Sequence, residues 1–292
     1  MGQGRMNSTT VPEPRNSSSA RIDFSSTSDD AFLGGAIRLY QPKTGYRAGT
    51  DALLLAATVP NDSWTGSIAK HDSSKADHFA PVRVLDVGSG IGTVGMCVAK
   101  RVRRAQVTLI EKNPDLVAIA LENRRRNDFD VRIEIIAADI CSKAATVAAA
   151  GLARKEYDYV LANPPFHMLG HGIAPKSEIK ADAHTMSEND LELWLLFMTR
   201  MCAQGGTATL IHKAGALDRL LSAMRGRFGA LRVLPLHPRL GMAANRVIVT
   251  GIKGSKAEMK ICPGLIIHTE GNRFTQTVDA IFRNGAGLEI PS

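Results

Sequence analysis

Tyr157-Asp158-Tyr159-Val160-Leu161-Ala162-Asn163-Pro164-Pro165-Phe166 is the stretch from which the fold is read. Val160, Leu161 and Ala162 form the apolar run of a strand buried on both faces, as parallel sheets require, and Asn163 falls where that strand ends. Two consecutive prolines then stop the ladder. Each fixes φ near about −65°, lacks an N–H and pushes the residue before it out of the helical region, so the peptide is stiff and extended. The carboxyl end of a parallel strand is where open α/β sheets bind their ligands. A peptide of this kind aims a carboxamide and a backbone carbonyl at one point. Asn-Pro also starts ordinary turns, so the stretch alone leaves both readings open.

Upstream of it, Val82 to Val87 is an apolar strand carrying Asp86 that runs into Gly88-Ser89-Gly90-Ile91-Gly92. A helix follows over Thr93 to Arg104, then a second strand, Val107 to Ile110, that ends at Glu111. Pro114 sits at a helix start in front of Leu116 to Arg126, and a third strand, Ile133 to Ala137, stops just before Asp139. With an alanine-rich helix around Ala144 to Leu152 the order is βαβαβαβ, which right-handed crossovers turn into a parallel sheet with helices on both faces. Further on, His167 to His184 reads as a loop able to close over a substrate. Ser187-Glu188-Asn189-Asp190 is a capping box for a helix through Ala203 that stops at Gly205-Gly206. Thr207 to Ile211 is a fifth strand, Ala216 to Arg227 a helix, Leu231 to Leu236 a sixth strand and Arg246 to Ile252 a seventh that returns antiparallel. Ile261 and Leu265 to Ile267 suggest an edge hairpin.

Before the glycine stretch, Leu39 to Asp51 reads as a short hairpin or turn leading into a helix over Ala52 to Val59, with Thr50 or Asp51 as its N-cap. Residues 61–81 are a polar loop. Residues 1–30, rich in serine and poor in large apolar side chains, are expected to be a disordered tail. The remainder, 31–292, reads as one domain with a basic C-terminal extension over 253–292.

The chain has 36 Lys+Arg against 28 Asp+Glu, and the excess is localised. Residues 201–292 hold 12 basic and 5 acidic side chains, leaving 24 against 23 in residues 1–200. A basic end on a near-neutral body suits a phosphate-rich partner, although a solvated surface also carries such charge. No stretch reaches the roughly 18 apolar residues of a membrane span and the N-terminus has no apolar signal core, so a cytoplasmic protein is expected. Cys97, Cys141, Cys202 and Cys262 are scattered without a C-x-x-C pair, which points to buried thiols with neither a metal site nor a disulfide framework.

Alternating glycines after an acidic residue, Asp86-Val87-Gly88-Ser89-Gly90-Ile91-Gly92, differ from the G-x-G-x-x-G of nicotinamide folds and resemble the Asp-x-Gly-x-Gly-x-Gly loop of class I methyltransferases. Asn163-Pro164-Pro165-Phe166 resembles the (Asp/Asn/Ser)-Pro-Pro-(Tyr/Phe/Trp) motif of the members that methylate a planar nitrogen. The resemblance implies a Rossmann-like, seven-stranded, mostly parallel sheet with an antiparallel last strand, and S-adenosylmethionine as cofactor. It places the methionyl part over Asp86, Gly88, Ser89, Gly90 and Gly92, the ribose hydroxyls on Glu111, and the adenine on Asp139 and Ile140. It also makes Asn163, Pro164, Pro165 and Phe166 the catalytic motif, with Phe166 stacked on the acceptor base.

Gln41 to Ala57, Leu236-His237-Pro238-Arg239 and Ala244 to Val249 are similar to the bacterial tRNA1(Val) adenine-37 N6-methyltransferase family, over roughly residues 32–284. That likeness implies tRNA as partner and puts Thr50 and Asp51 near the methionine end. Arg239, Arg246, Lys253 and Lys256 are the basic residues expected to contact its backbone. Many members have tyrosine where this chain has Phe166. Release-factor glutamine N5-methyltransferases and ribosomal guanine N2-methyltransferases share the logic of the motif and stand as alternatives, as does an RNA-binding module without catalysis. Oligomeric state is not readable.

Overall fold

The computed structural model describes residues 24–45, 47–61, 80–142, 151–152, 156–165, 167–168, 185–186 and 188–291. Strands β1 (Thr27–Phe32) and β2 (Ile37–Pro42) form an antiparallel hairpin, followed by helix α1 (Thr50–Ala57). Then come β3 (Val82–Val87), α2 (Thr93–Arg101), β4 (Ala105–Glu111), α3 (Pro114–Arg126), β5 (Ile133–Ala137) and β6 (Tyr157–Ala162). Two short strands, β7 (His167–Met168) and β8 (Thr185–Met186), pair with each other. The chain continues through α4 (Glu188–Met201), β9 (Cys202–Lys213), α5 (Leu217–Met224), β10 (Phe228–His237) and β11 (Arg246–Lys253). It ends with β12 (Lys260–Ile261), β13 (Leu265–Ile266) and α6 (Gln276–Asn284).

The central sheet has the order β12-β10-β11-β9-β6-β3-β4-β5, with β13 also on β10. The pairs β6-β3, β3-β4, β4-β5 and β6-β9 are parallel, and β11 runs antiparallel to both its neighbours, as the sequence implies. Alternation along β3 sends Val84 and Leu85 to opposite faces. Val84 joins a core with α1, α2 and Ile281 of α6, and Leu85 joins one with α4 and α5. Both faces are thus covered by helices, which is what a parallel sheet needs.

Several expectations are corrected. Residues 24–30, expected to belong to the tail, are folded, because Thr27–Phe32 pairs along its whole length with Ile37–Pro42. Helix α1 begins at Thr50 with Gly49 as its cap residue, so neither Thr50 nor Asp51 is the cap. The Gly205-Gly206 pair does not end a helix. Strand β9 starts at Cys202, and the jump from Tyr157↔Cys202 to Tyr159↔Thr207 places the pair in a bulge, with Gly205 at φ 77°. The expected edge hairpin is absent from the described residues; β12 and β13 each pair parallel with β10.

Within the basic C-terminal extension, residues 253–291 pack against the domain. Half-buried Arg101, its pKa lowered to about 10 by desolvation, donates to the carbonyls of Ala56, Val59 and Gly285, and Leu288 N–H donates to Ala57. This binds α1, α2 and the end of the chain into one layer. Residues 1–23, most of the 61–81 loop, most of the 144–152 helix, most of the 167–184 loop and Ser187 of the capping box lie outside the described residues.

Candidate active site

The glycine stretch between β3 and α2 folds as a tight loop with Gly88, Gly90 and Gly92 at φ 65°, 56° and 88°. Only glycine adopts such angles without strain, so the alternation has a backbone cause. Crowding adds a second cause. A Cβ on Gly88 would run into the Trp194 ring of α4, and one on Gly92 would stand 2.8 Å from Leu109 Cδ1 and Met96 Cε.

Two carboxylates brace the loop and the helix that follows it. Asp86 is buried, and its Oδ2 accepts the Gly95 N–H at 3.0 Å. Its pKa is raised to about 7, chiefly by desolvation and also by the Glu111 charge, against the pull of that bond. Asp86 therefore faces inward and shapes the loop. Gly95 is a site the sequence reading passed over. Its missing side chain lets α2 close on Leu109 and Val107 and brings its N–H to Asp86.

Glu111, at the end of β4, accepts from Gly90 N–H through Oε2 at 2.8 Å and from Lys112 and Asn113 N–H through Oε1 at 2.9 Å each. Three donors leave capacity for another on a carboxylate that accepts about four. Asp139 is exposed two residues past β5, where its Oδ1 takes the Cys141 N–H at 2.9 Å, and Ile140 beside it is half-buried. Burial raises the Cys141 pKa, as do the charges of Asp139 and Asp190. A hydrogen bond from Trp194 lowers it. Trp194 thus reaches from the glycine loop to the segment after Asp139, a role its place in an apolar helix face did not signal.

On β6, the ladder partner of β3, Asn163 follows the last strand residue. Its Oδ1 is buried without a hydrogen-bond partner among the described residues, as are Ser89 Oγ and Thr93 Oγ1 on the glycine loop and the first turn of α2. Each such atom costs about 1–3 kcal/mol unless something polar meets it. Glycines that let a ligand approach the backbone, a carboxylate with spare capacity and three unsatisfied oxygens fit a small polar cofactor such as S-adenosylmethionine across the ends of β3, β4 and β6. Pro164 is buried and Pro165 half-buried, while Phe166 lies outside the described residues.

At the same edge Asp51 Oδ2 and Arg246 Nε form an ion pair at 2.9 Å, tying α1 to the start of β11. Thr50 beside it is exposed. The four basic candidates are split. Arg239 and Arg246 stand at the ligand edge, Arg239 bonded to Asn272. Because β11 is antiparallel, Lys253 sits opposite Phe228, the first residue of β10, at the far edge, where its Nζ donates to the Cys202 carbonyl at 2.7 Å. Lys256 is exposed three residues further on from that edge. Strand direction, which charge counting ignores, separates them.

The methyltransferase small domain family matches residues 74–205. A tRNA1(Val) (adenine(37)-N6)-methyltransferase of Glaesserella parasuis is 27% identical over 231 residues, which is 78% of this chain and 85% of that protein. One of the same name from Haemophilus influenzae is 25% identical over 246 residues, 84% of this chain and 93% of that protein. A crystal structure titled as a predicted O-methyltransferase from Agrobacterium tumefaciens is 30% identical, with a TM-score of 0.63 over 82% of this chain and 98% of that one.

Proposed function

Because this chain belongs to the methyltransferase family, we propose that it moves the methyl group of S-adenosylmethionine to the exocyclic N6 amine of adenine in tRNA, at position 37 of a tRNA(Val). The observation that carries this reading is the buried Asn163 Oδ1, without a hydrogen-bond partner among the described residues, one strand from the glycine loop and followed by Pro164. The relatives named for adenine-37 N6 methylation support the choice of acceptor.

S-adenosylmethionine supplies an electrophilic methyl on a sulfonium sulfur. The adenine amine is a weak nucleophile, since its lone pair is delocalised into the ring. Asn163 Oδ1 and the Pro164 carbonyl accept its two N–H groups and favour a tetrahedral nitrogen, and both bonds strengthen as positive charge builds there. Pro164 and Pro165 hold these acceptors still. The proton then leaves to solvent. Glu111 would take the ribose hydroxyls, Asp139 and Ile140 would hold the adenine of the cofactor, Thr50 and Asp51 would flank its methionine end, and Phe166 would stack on the flipped base. Such a substrate puts the enzyme in the cytoplasm, and no described helix is long and apolar enough to cross a membrane.

The test is to supply labelled S-adenosylmethionine with bulk tRNA or with peptide release factor. Label in the tRNA is expected. Label on the protein alone would replace this function with glutamine methylation.

A further inference from the structure

The loop between β10 and β11 stands above the site. Ala162 pairs with Leu210, Lys213 with Arg246 and Arg246 with Leu236, so by continued register Leu236 and Arg246 are level with Pro165. Residues 238–245 rise from that height. Three strand spacings separate β10 from β6, about 14 Å, which keeps the loop within reach of nucleotides flanking a base at Asn163.

The loop is held by its own bonds and by its neighbours. His237 Nδ1 lies 2.7 Å from the Met242 carbonyl, Met242 N–H donates to Arg239 at 3.1 Å, and Asn245 N–H donates to Leu236 at 3.2 Å. From the side, His268 N–H donates to the Pro238 carbonyl at 3.0 Å, and Arg239 bonds to Asn272. On this fixed frame Leu240 is 83% exposed and Met242 48% exposed. No acidic residue occurs from His237 to Arg246; Arg239 is exposed within the loop, exposed Arg273 follows Asn272, to which Arg239 bonds, and Arg246 stands at the loop's base, where it pairs with Asp51. Apolar side chains displayed on a braced loop that also carries an exposed arginine match a strand of RNA, which has base faces for the former and phosphates for the latter.

We infer that the 238–245 loop is a docking element for the RNA around the methylated adenine, with Leu240 and Met242 packed on a flanking base and Arg239 on a phosphate. The inference rests on tRNA being the substrate. It adds a contact outside the catalytic pocket that helps hold the flipped base, since flipping costs a few kcal/mol that neighbouring contacts must offset.

The experiment compares wild type with L240S, the L240S/M242S double variant and R239Q, measuring binding to transcribed tRNA, methyl transfer to it, S-adenosylmethionine affinity and sedimentation. Because the replaced side chains are exposed, folding and cofactor affinity should not move. The tRNA dissociation constant should rise about tenfold in L240S/M242S, the scale of one lost base contact, and R239Q should lower its salt dependence by about one charge. Unchanged tRNA affinity in the double variant, with methyl transfer intact, would overturn the loop's role while leaving the enzyme's function standing. A wild-type dimer that L240S dissociates would overturn it too, since a second copy would then cover the tip. No transfer to any tRNA by wild type would remove both the function and this inference together.

Discussion

Asn123 clasps the backbone of Tyr40 at both its polar groups: its Oδ1 accepts the Tyr40 N–H at 2.7 Å and its Nδ2 donates to the Tyr40 carbonyl at 3.0 Å. Nδ2 also donates to the Ile91 carbonyl in the glycine loop at 3.2 Å. One turn on, Asn127 repeats the clasp on Arg38, at 3.0 and 2.8 Å. Residues four apart on a helix and two apart on a strand advance by nearly the same distance, about 6 to 7 Å, so α3 stands in for a missing strand beside β2. Through Asn123 the N-terminal hairpin and the glycine loop share one buried side chain. Asn123→Ala should destabilise the protein by about 2–4 kcal/mol, and Asn127→Ala, partly exposed, by under about 1 kcal/mol. Urea denaturation of both variants checks this; equal costs would show that the Ile91 bond contributes nothing.

Gly88 combines a positive φ with a ring against its α-carbon. Gly88→Ala should lose stability twice over, through about 1–2 kcal/mol of left-handed strain and through the clash with Trp194. Adding Trp194→Leu should recover the clash part and leave the strain. Thermal melting of the single and double variants separates the two; no recovery at all would mean that the ring is not what crowds the position.

Much of this arrangement was legible. The three glycines, Glu111 and Asn163 follow apolar runs, and strand ends are visible as changes of pattern. The missed features have partners far along the chain. Asn123 sits in an arginine-rich helix that reads as a solvated face, and its partner is 83 residues away. Strand β1 reads as tail because its sequence, Thr-Ser-Asp-Asp-Ala-Phe, is polar. It is folded because it pairs along its whole length with β2, and its polar side chains find partners there: Asp29 pairs with Arg38 and Arg126, and Asp30 with Arg47. The Arg126 bond leads in lowering the Asp29 pKa; at Asp30 burial, which raises the pKa, is outweighed by hydrogen bonds from Ser28 and Gln41 together with the Arg47 pair, so it too is lowered. Lys253 and Lys256 were grouped with Arg239 on charge, and only the reversed direction of β11 shows them at the other edge.

Asp86 gives a pH signature of opposite sign to those surface carboxylates. Burial raises its pKa from 3.8 to about 7, so the folded state holds its proton more tightly than the unfolded state does. Its contribution is fully present below 3.8 and is lost as pH rises to about 7. Asp86→Asn keeps an acceptor for Gly95 without the titration. The stability difference between wild type and this variant should move against wild type across that window and be flat above it. A constant difference at all pH values would mean that Asp86 does not titrate there.

Glu111 serves both the loop and the proposed ribose contact. Glu111→Ala should weaken S-adenosylmethionine binding by about 1–3 kcal/mol in calorimetric titration, the worth of charged hydrogen bonds in a pocket. Unaltered affinity would confine Glu111 to supporting Gly90.

Methylation of the adenine amine through Asn163 is tested most directly by digesting tRNA, after reaction with labelled S-adenosylmethionine, and identifying the labelled nucleoside by mass spectrometry for wild type and Asn163→Ala. The expected result is N6-methyladenosine from wild type, formed with a kcat about 10²-fold lower in the variant while cofactor affinity stays the same. Label in N2-methylguanosine, or N6-methyladenosine formed at an undiminished rate by Asn163→Ala, would contradict it.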